Sequence, residues 1–253
     1  MADDFLRDWE AFRADREARL TAPHGFLSIT GVHWLDAAPQ RYAGAPGTWC
    51  LGTDGVEVEL GPDEVLTVHG RDVHGHQVLG PVDEAGIRAT AGDVEVEVAR
   101  RGPSVMLRPR DPAHALRARY LPTPTYPPSP DWVLPATFSA LDGGAPIEEA
   151  VGEVAFTVAG EPVRLVAYDD NGGLWLVFAD ATSGRTTYGA GRQLYAPAPA
   201  VDGSVVLDFN RTINLPCAYT DLTTCPVPVP QNRLPFAVEA GEQSPVSIGD
   251  AQQ

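Results

Sequence analysis

The sequence predicts a mainly β fold, an antiparallel β-sandwich or distorted barrel carrying one N-terminal helix and a long C-terminal loop. Three observations carry this prediction. The 24 Pro and 25 Gly among 253 residues interrupt the chain too often for long helices, because neither residue suits a helix interior. Apolar and polar residues alternate with a period of two through many segments, as in strands with one face on a core. No succession of strands with helices of ten residues or more appears, which disfavours a doubly wound α/β sheet. Apolar residues make up 43% and charged residues 21%, ordinary globular usage that can bury a core. A single compact domain over 1–253 is expected, with two β-rich halves at 22–120 and 136–242 as the natural subdivision.

The helix comes first. Asp3 or Asp4 caps it, and Phe5, Trp9 and Phe12 follow at i, i+4 and i+7 on one stripe. Arg7, Glu10, Arg13 and Asp15 face away, and the helix ends near Leu20, before Pro23. Strands are then expected at Val56–Leu60, Asp93–Val98 and Gly152–Val158, where Val and Glu or Thr alternate. Pro162–Tyr168 and Leu174–Phe178 flank an insert containing Asn171-Gly172, a hairpin signal because both residues tolerate positive φ. Gly203–Phe209 and Leu234–Glu239 complete the set. The six prolines between Leu121 and Pro135 make either an extended linker or a rigid strap along the sheet. Tyr126 and Trp132 favour the strap, since a free linker would waste their burial.

Charge excludes several functions. The chain has 18 basic and 34 acidic residues, a net charge of −16, and every basic residue is Arg. Without Lys there is no Schiff-base amine and no P-loop lysine. The acidic balance argues against phosphate-backbone binding and against anionic membrane surfaces. No apolar run approaches the roughly 18 residues of a membrane span, and the first residues lack a secretory leader pattern. A cytoplasmic protein is expected, and its 3 cysteines do not make a disulfide framework.

Metal chemistry has one weak foothold, His74-Gly75-His76. On a strand both imidazoles point the same way, but a third ligand at a convincing spacing is missing. No metal or organic cofactor is expected. The Gly-x-Ser-x-Gly elbow and His-Glu-x-x-His are absent, and Gly189-Ala190-Gly191 lacks the third glycine of a dinucleotide fingerprint. That glycine pair instead lets the chain turn sharply before Arg192.

From Asp208 onward the chain is too rich in Pro and polar residues for a strand, yet too rich in Cys, Tyr and Phe to float free. A long ordered loop packed on the domain is the physical compromise, and such loops are frequently functional. The strings Asp208-Phe209-Asn210, Asn214-Leu215-Pro216-Cys217-Ala218-Tyr219, Thr224-Cys225-Pro226, Asn232-Arg233-Leu234-Pro235 and Ala240-Gly241-Glu242 resemble the bacterial domain-of-unknown-function family 1684. Upstream, the strings around His24 and His33 and the stretch Thr186–Arg192 fit the same family, so the resemblance extends over nearly the whole chain. That family has no assigned activity, so the resemblance implies where to look and not which reaction occurs.

Within those strings, Arg192 or Arg233 is a clamp for a substrate carboxylate or phosphate, because a planar guanidinium pairs bidentately with such groups. Tyr188 and Asn232 complete the ligand-binding set. Asp208 or Glu239 is the candidate general base, Asn210 and Asn214 are donors to developing negative charge, and Cys217 is a nucleophile candidate. His24 and His33 are further base candidates. The leading expectation is a small-molecule enzyme for an anionic substrate, a cofactor-independent hydrolase or lyase. The alternatives are a non-catalytic small-molecule binding or assembly protein, in which the loop residues staple the backbone and Arg233 pairs with Glu242, and a metal-dependent enzyme built on His74 and His76.

Overall fold

Helix α1 (Ala2–Leu20) opens the chain in the computed structural model, which describes residues 2–141 and 149–246. Asp3 and Asp4 lie inside the first turn and not at the cap, where their charge complements the helix N-terminus. Phe5, Trp9 and Phe12 are half-buried on one stripe, as their spacing predicts. Arg13 corrects the expectation that it faces away. Its side chain is 12% exposed and is held by Glu17 and Glu242.

The chain divides into two compact units, residues 18–120 and residues 2–17 with 121–246. The first unit contains β1 (His33–Leu35), β2 (Gln40–Arg41), β3 (Thr48–Gly52), β4 (Gly55–Glu59), β5 (Leu66–Val68), β6 (Arg71–Val73), β7 (His76–Gly80), β8 (Ile87–Ala91), β9 (Val94–Arg101) and β10 (Ser104–Arg110), then a short helix α2 (Ala115–Ala118). These strands form a six-stranded sheet, β1-β10-β9-β8-β5-β6, and a four-stranded sheet, β2-β3-β4-β7. Both sheets contribute to one core, with Trp49, Val56 and Val58 from the smaller and Val96, Val98 and Leu107 from the larger. Alternation along β4 sends Val56 and Val58 inward, while Glu57 and Glu59 lie on the other face. On β9 the expected wet face is absent. Glu97 is 4% exposed and accepts hydrogen bonds from both Arg108 and Arg110, which neutralise it where water cannot.

The second unit is built on β11 (Val133–Ala140), β12 (Ala150–Val158), β13 (Glu161–Asp170), β14 (Gly173–Phe178), β15 (Arg192–Ala196), β16 (Ser204–Asp208) and β17 (Ile213–Asn214). They form one antiparallel seven-stranded sheet, ordered β16-β11-β12-β13-β14-β15-β17, curved into a half-barrel. The β13–β14 hairpin turns at Asn171 and Gly172, with φ of 51° and 90°, as the Asn-Gly pair requires. Mainly β, antiparallel and opened by one helix, the architecture agrees with the sequence prediction.

Inside the curve, Phe209 is fully buried and meets the rings of Trp132, Phe156 and Phe178 at 6.0, 5.5 and 5.7 Å between centroids. Phe209 sits in a 310 turn (Phe209–Arg211) just past the end of β16. The C-terminal loop adds Leu234, Val238 and Ala240 to the same core. Leu234–Glu239 is not a strand. Pro235 removes an N–H, and the segment bonds only intermittently to its neighbour, through Leu234 N–H to Ala179 O and Ala181 N–H to Phe236 O. The Pro-rich stretch is strapped down, with Tyr126 N–H on Gly241 O and Gln243 N–H on Pro124 O. Gly191 has φ of 103°, and a Cβ there would stand 2.6 Å from Phe178 O, so the turn that aims Arg192 inward requires glycine.

Phe209 therefore anchors the second unit. Phe209→Ala is expected to lower the unfolding free energy by about 3–5 kcal/mol, measured by urea denaturation.

Candidate functional site

Every basic residue in this chain is an arginine, and three of them are spent inside the second unit. Arg192, on the first position of β15, has no solvent exposure. Its Nη2 donates to Asp180 Oδ2 at 2.9 Å and to Val238 O at 2.8 Å, while Nη1 donates to Ala240 O at 2.5 Å and Glu242 O at 3.1 Å. One planar cation thus gathers three carbonyls of the C-terminal loop onto β15, a task for which five fixed donors are suited. Burial pulls its pKa below the ordinary arginine value and Asp180 opposes that shift. Asp180 is itself engaged, since its Oδ1 accepts from Thr182 N–H, Thr182 Oγ1 and Val238 N–H.

Glu242 is the second buried station, also with no exposure. Its Oε1 accepts from Arg13 Nη1 at 2.7 Å and Arg16 Nε at 3.1 Å, and its Oε2 from Asn214 N–H at 2.7 Å and Tyr219 OH at 3.0 Å. Burial alone would raise the pKa of this carboxyl, but the charge and hydrogen bond of Arg16, the Asn214 N–H and the charge of Arg13 outweigh it and hold the pKa below the usual range. The Arg233–Glu242 pair of the structural alternative does not form. Arg13 and Arg16 of α1 take that place, and Arg233 is exposed, with no hydrogen bond or ion pair from its side chain to any described residue.

The amides do backbone work. Asn232 Oδ1 accepts from Val166 N–H at 2.7 Å, and its Nδ2 donates to Val166 O at 2.9 Å and Val177 O at 2.8 Å. Paired positions of β13 and β14 run only from Tyr168–Trp175 to the turn. Beyond them the Asn232 side chain substitutes for the missing ladder. Asn210 does the same for Ser129, accepting its N–H and donating to its O, both at 2.9 Å. Asp208 accepts from Asn210 Nδ2 and from Arg211 Nε. Asn214 lies opposite Arg192 in the β15–β17 register, and its Nδ2 donates to Gln243 O at 2.8 Å.

The remaining candidates scatter. Tyr188 OH donates to Cys217 O at 3.0 Å, and burial pushes its pKa up to about 12. Burial, with the neighbouring Cys225, pushes the Cys217 thiol up to about 11. Glu239 is exposed. The structure brings Arg192 beside Asn214, Asp208 beside Asn210, and Tyr188 beside Cys217. Asp180, Arg13 and Arg16 were missed by sequence reasoning, although Asp180 stands two residues before Thr182 in the manner of an Asx turn.

In the first unit His24 Nε2 lies 2.8 Å from Asp93 O and His33 packs on Tyr42 at 4.8 Å. His76 has Glu59 at 3.5 Å and Glu57 at 3.9 Å. Among the described residues no group of three or more His, Cys, Asp and Glu is placed to hold a metal ion.

Residues 118–243 match the family described as Protein of unknown function (DUF1684). That segment belongs to the family. It holds all the buried stations except the two helix arginines, whereas the strings around His24 and His33 lie outside the match, which is narrower than the expected near-whole-chain extent. No curated protein matches. Among solved structures, this chain is similar to an uncharacterized protein of Haloarcula marismortui, determined in solution by NMR. The two share 28% identity over 50% of this chain and 78% of that one, with a TM-score of 0.43.

The depressed pKa of Glu242 sets a pH dependence. Its contribution to stability is fully present above the ordinary glutamate pKa of the unfolded chain and is lost as the pH falls through the lower folded value. Chemical denaturation below about pH 4.5 should show this loss. In Glu242→Gln that component disappears, and the neutral-pH cost is about 3–5 kcal/mol, because Arg13 and Arg16 lose their shared counter-charge.

Proposed function

We propose that this protein is a non-catalytic binding or assembly protein whose C-terminal loop is architecture. The observation that supports this best is Arg192, a fully buried guanidinium whose terminal nitrogens are engaged by Asp180 and three loop carbonyls. A substrate clamp needs donors left for the substrate, and an acid–base carboxylate needs access to the proton it moves. Asp208 accepts from Asn210 and Arg211, Asn210 and Asn232 spend their amides on backbone groups, and the Asn214 Nδ2 donates to Gln243 O while its Oδ1 meets no partner among the described residues. These engagements favour stapling over turnover.

A small anionic molecule remains the favoured ligand class. Arg233 is the cation of the expected clamp that the architecture leaves over, and Glu239 is the carboxylate left over. The net charge of −16 weighs against nucleic acid and anionic membranes as partners.

Paired substitutions test the reading. Asn232→Ala strands three buried backbone groups and should cost more than about 2 kcal/mol in urea denaturation. Glu239→Gln and Arg233→Ala should each stay within about 0.5 kcal/mol of the parent. An Asn232→Ala protein of parental stability would overturn the architectural assignment.

A further inference from the structure

Cys217 and Cys225 stand eight positions apart, and the described structure brings them together. Cys217 lies in a 310 turn (Pro216–Ala218), and its backbone N–H donates to Cys225 Sγ at 3.2 Å. Between them the chain folds back on itself, with Leu222 N–H on Thr220 Oγ1 and Thr223 Oγ1 on Thr220 O. Thr223 Oγ1 then reaches Cys225 Sγ at 3.6 Å. Pro216 and Pro226 flank the pair and restrict the backbone on its outer sides. Both cysteines are free and half-buried, so a small reagent can reach them.

Two cysteines held by a closed turn, with the backbone of one against the sulfur of the other, have met the main entropic cost of forming a disulfide, which is bringing the ends together. We propose that Cys217 and Cys225 are a reversible dithiol–disulfide site, oxidised by a low-molecular-weight disulfide of the glutathione class. One protein thiolate attacks a sulfur of the small disulfide, forming a mixed disulfide and expelling one small thiolate. The second protein thiolate attacks the protein sulfur of that bond, closes Cys217–Cys225 and expels the other small thiolate. The protein loses two protons and two electrons, and the small disulfide is reduced to two thiols.

The loop this bridge closes is the one that carries Tyr219 to Glu242 and the Cys217 carbonyl to Tyr188. Oxidation would therefore secure one side of the Glu242 cluster. Because the thiolate is the attacking form, closure should quicken as the pH rises from about 7 to 9.

The test uses the full chain, native, incubated with oxidised glutathione, then alkylated and mapped by mass spectrometry. The expected product has lost two hydrogens, links the Cys217 and Cys225 peptides, and reverts with dithiothreitol. Cys50, on β3 in the first unit, serves as an internal control and should be absent from the link. Cys217→Ser and Cys225→Ser should each yield a glutathione adduct on the remaining member and no two-hydrogen loss. Separate adducts on Cys217 and Cys225 of the parent chain, or neither residue modified, would overturn the proposal. Since the parent chain alone decides between these results, a variant that fails to fold leaves the test intact.

Discussion

The second unit depends on one carboxylate. Glu242 takes a hydrogen bond from each of four places in the sequence, two on α1, one on β17 and one in the C-terminal loop. A buried charge with a single partner seldom repays its desolvation, but one with two cations and two neutral donors can. Its backbone carbonyl meets Arg192 as well. A single residue thus couples the helix, the sheet edge and the loop, and Arg192 repeats the device with opposite sign around Asp180 and three carbonyls. Arginine is the only cation that could do this, because a lysine ammonium lacks a planar fork for several acceptors.

Around these stations the loop solves a problem set by its own composition. Pro216, Pro226, Pro228, Pro230 and Pro235 supply no N–H, so main-chain ladders cannot hold the segment down. Carboxamides take over, because Asn carries a donor and an acceptor in the arrangement of a peptide group. Asn232 and Asn210 each bind both polar groups of one distant residue, Val166 and Ser129, as a neighbouring strand would. The density of Asn, Asp and Glu that marks this region in the sequence follows from that substitution.

What could be read from the sequence was local. The amphipathic stripe of α1, the alternation on β4 and β12 and the Asn171-Gly172 turn each depend on residues a few positions apart. What could not be read depended on distant partners. Arg13 looks like a solvated helix residue until Glu242, 229 positions away, is placed beside it. Glu97 looks like the wet face of a strand until Arg108 and Arg110 on β10 neutralise it. Leu234–Glu239 has a strand's apolar content, but Leu234 and Val238 are recruited one by one to a core already formed by the sheet. The same long-range pairing sets Arg192 against Asp180 and three loop carbonyls, and Asn232 against Val166 and Val177, partners that no local pattern announces.

The order of the chain gives that pairing a further consequence. Arg16 and Glu242 are separated by 226 positions, and the unit formed by residues 18–120 lies wholly between them. During synthesis the intervening unit emerges complete and uninterrupted, able to collapse as soon as its last strand is made. The helix arginines precede that unit and lack their shared counter-charge until Glu242 appears. Assembly of the second unit is thus gated by the arrival of Glu242, and a chain cut short before that residue has a whole first unit and a second that lacks its counter-charge.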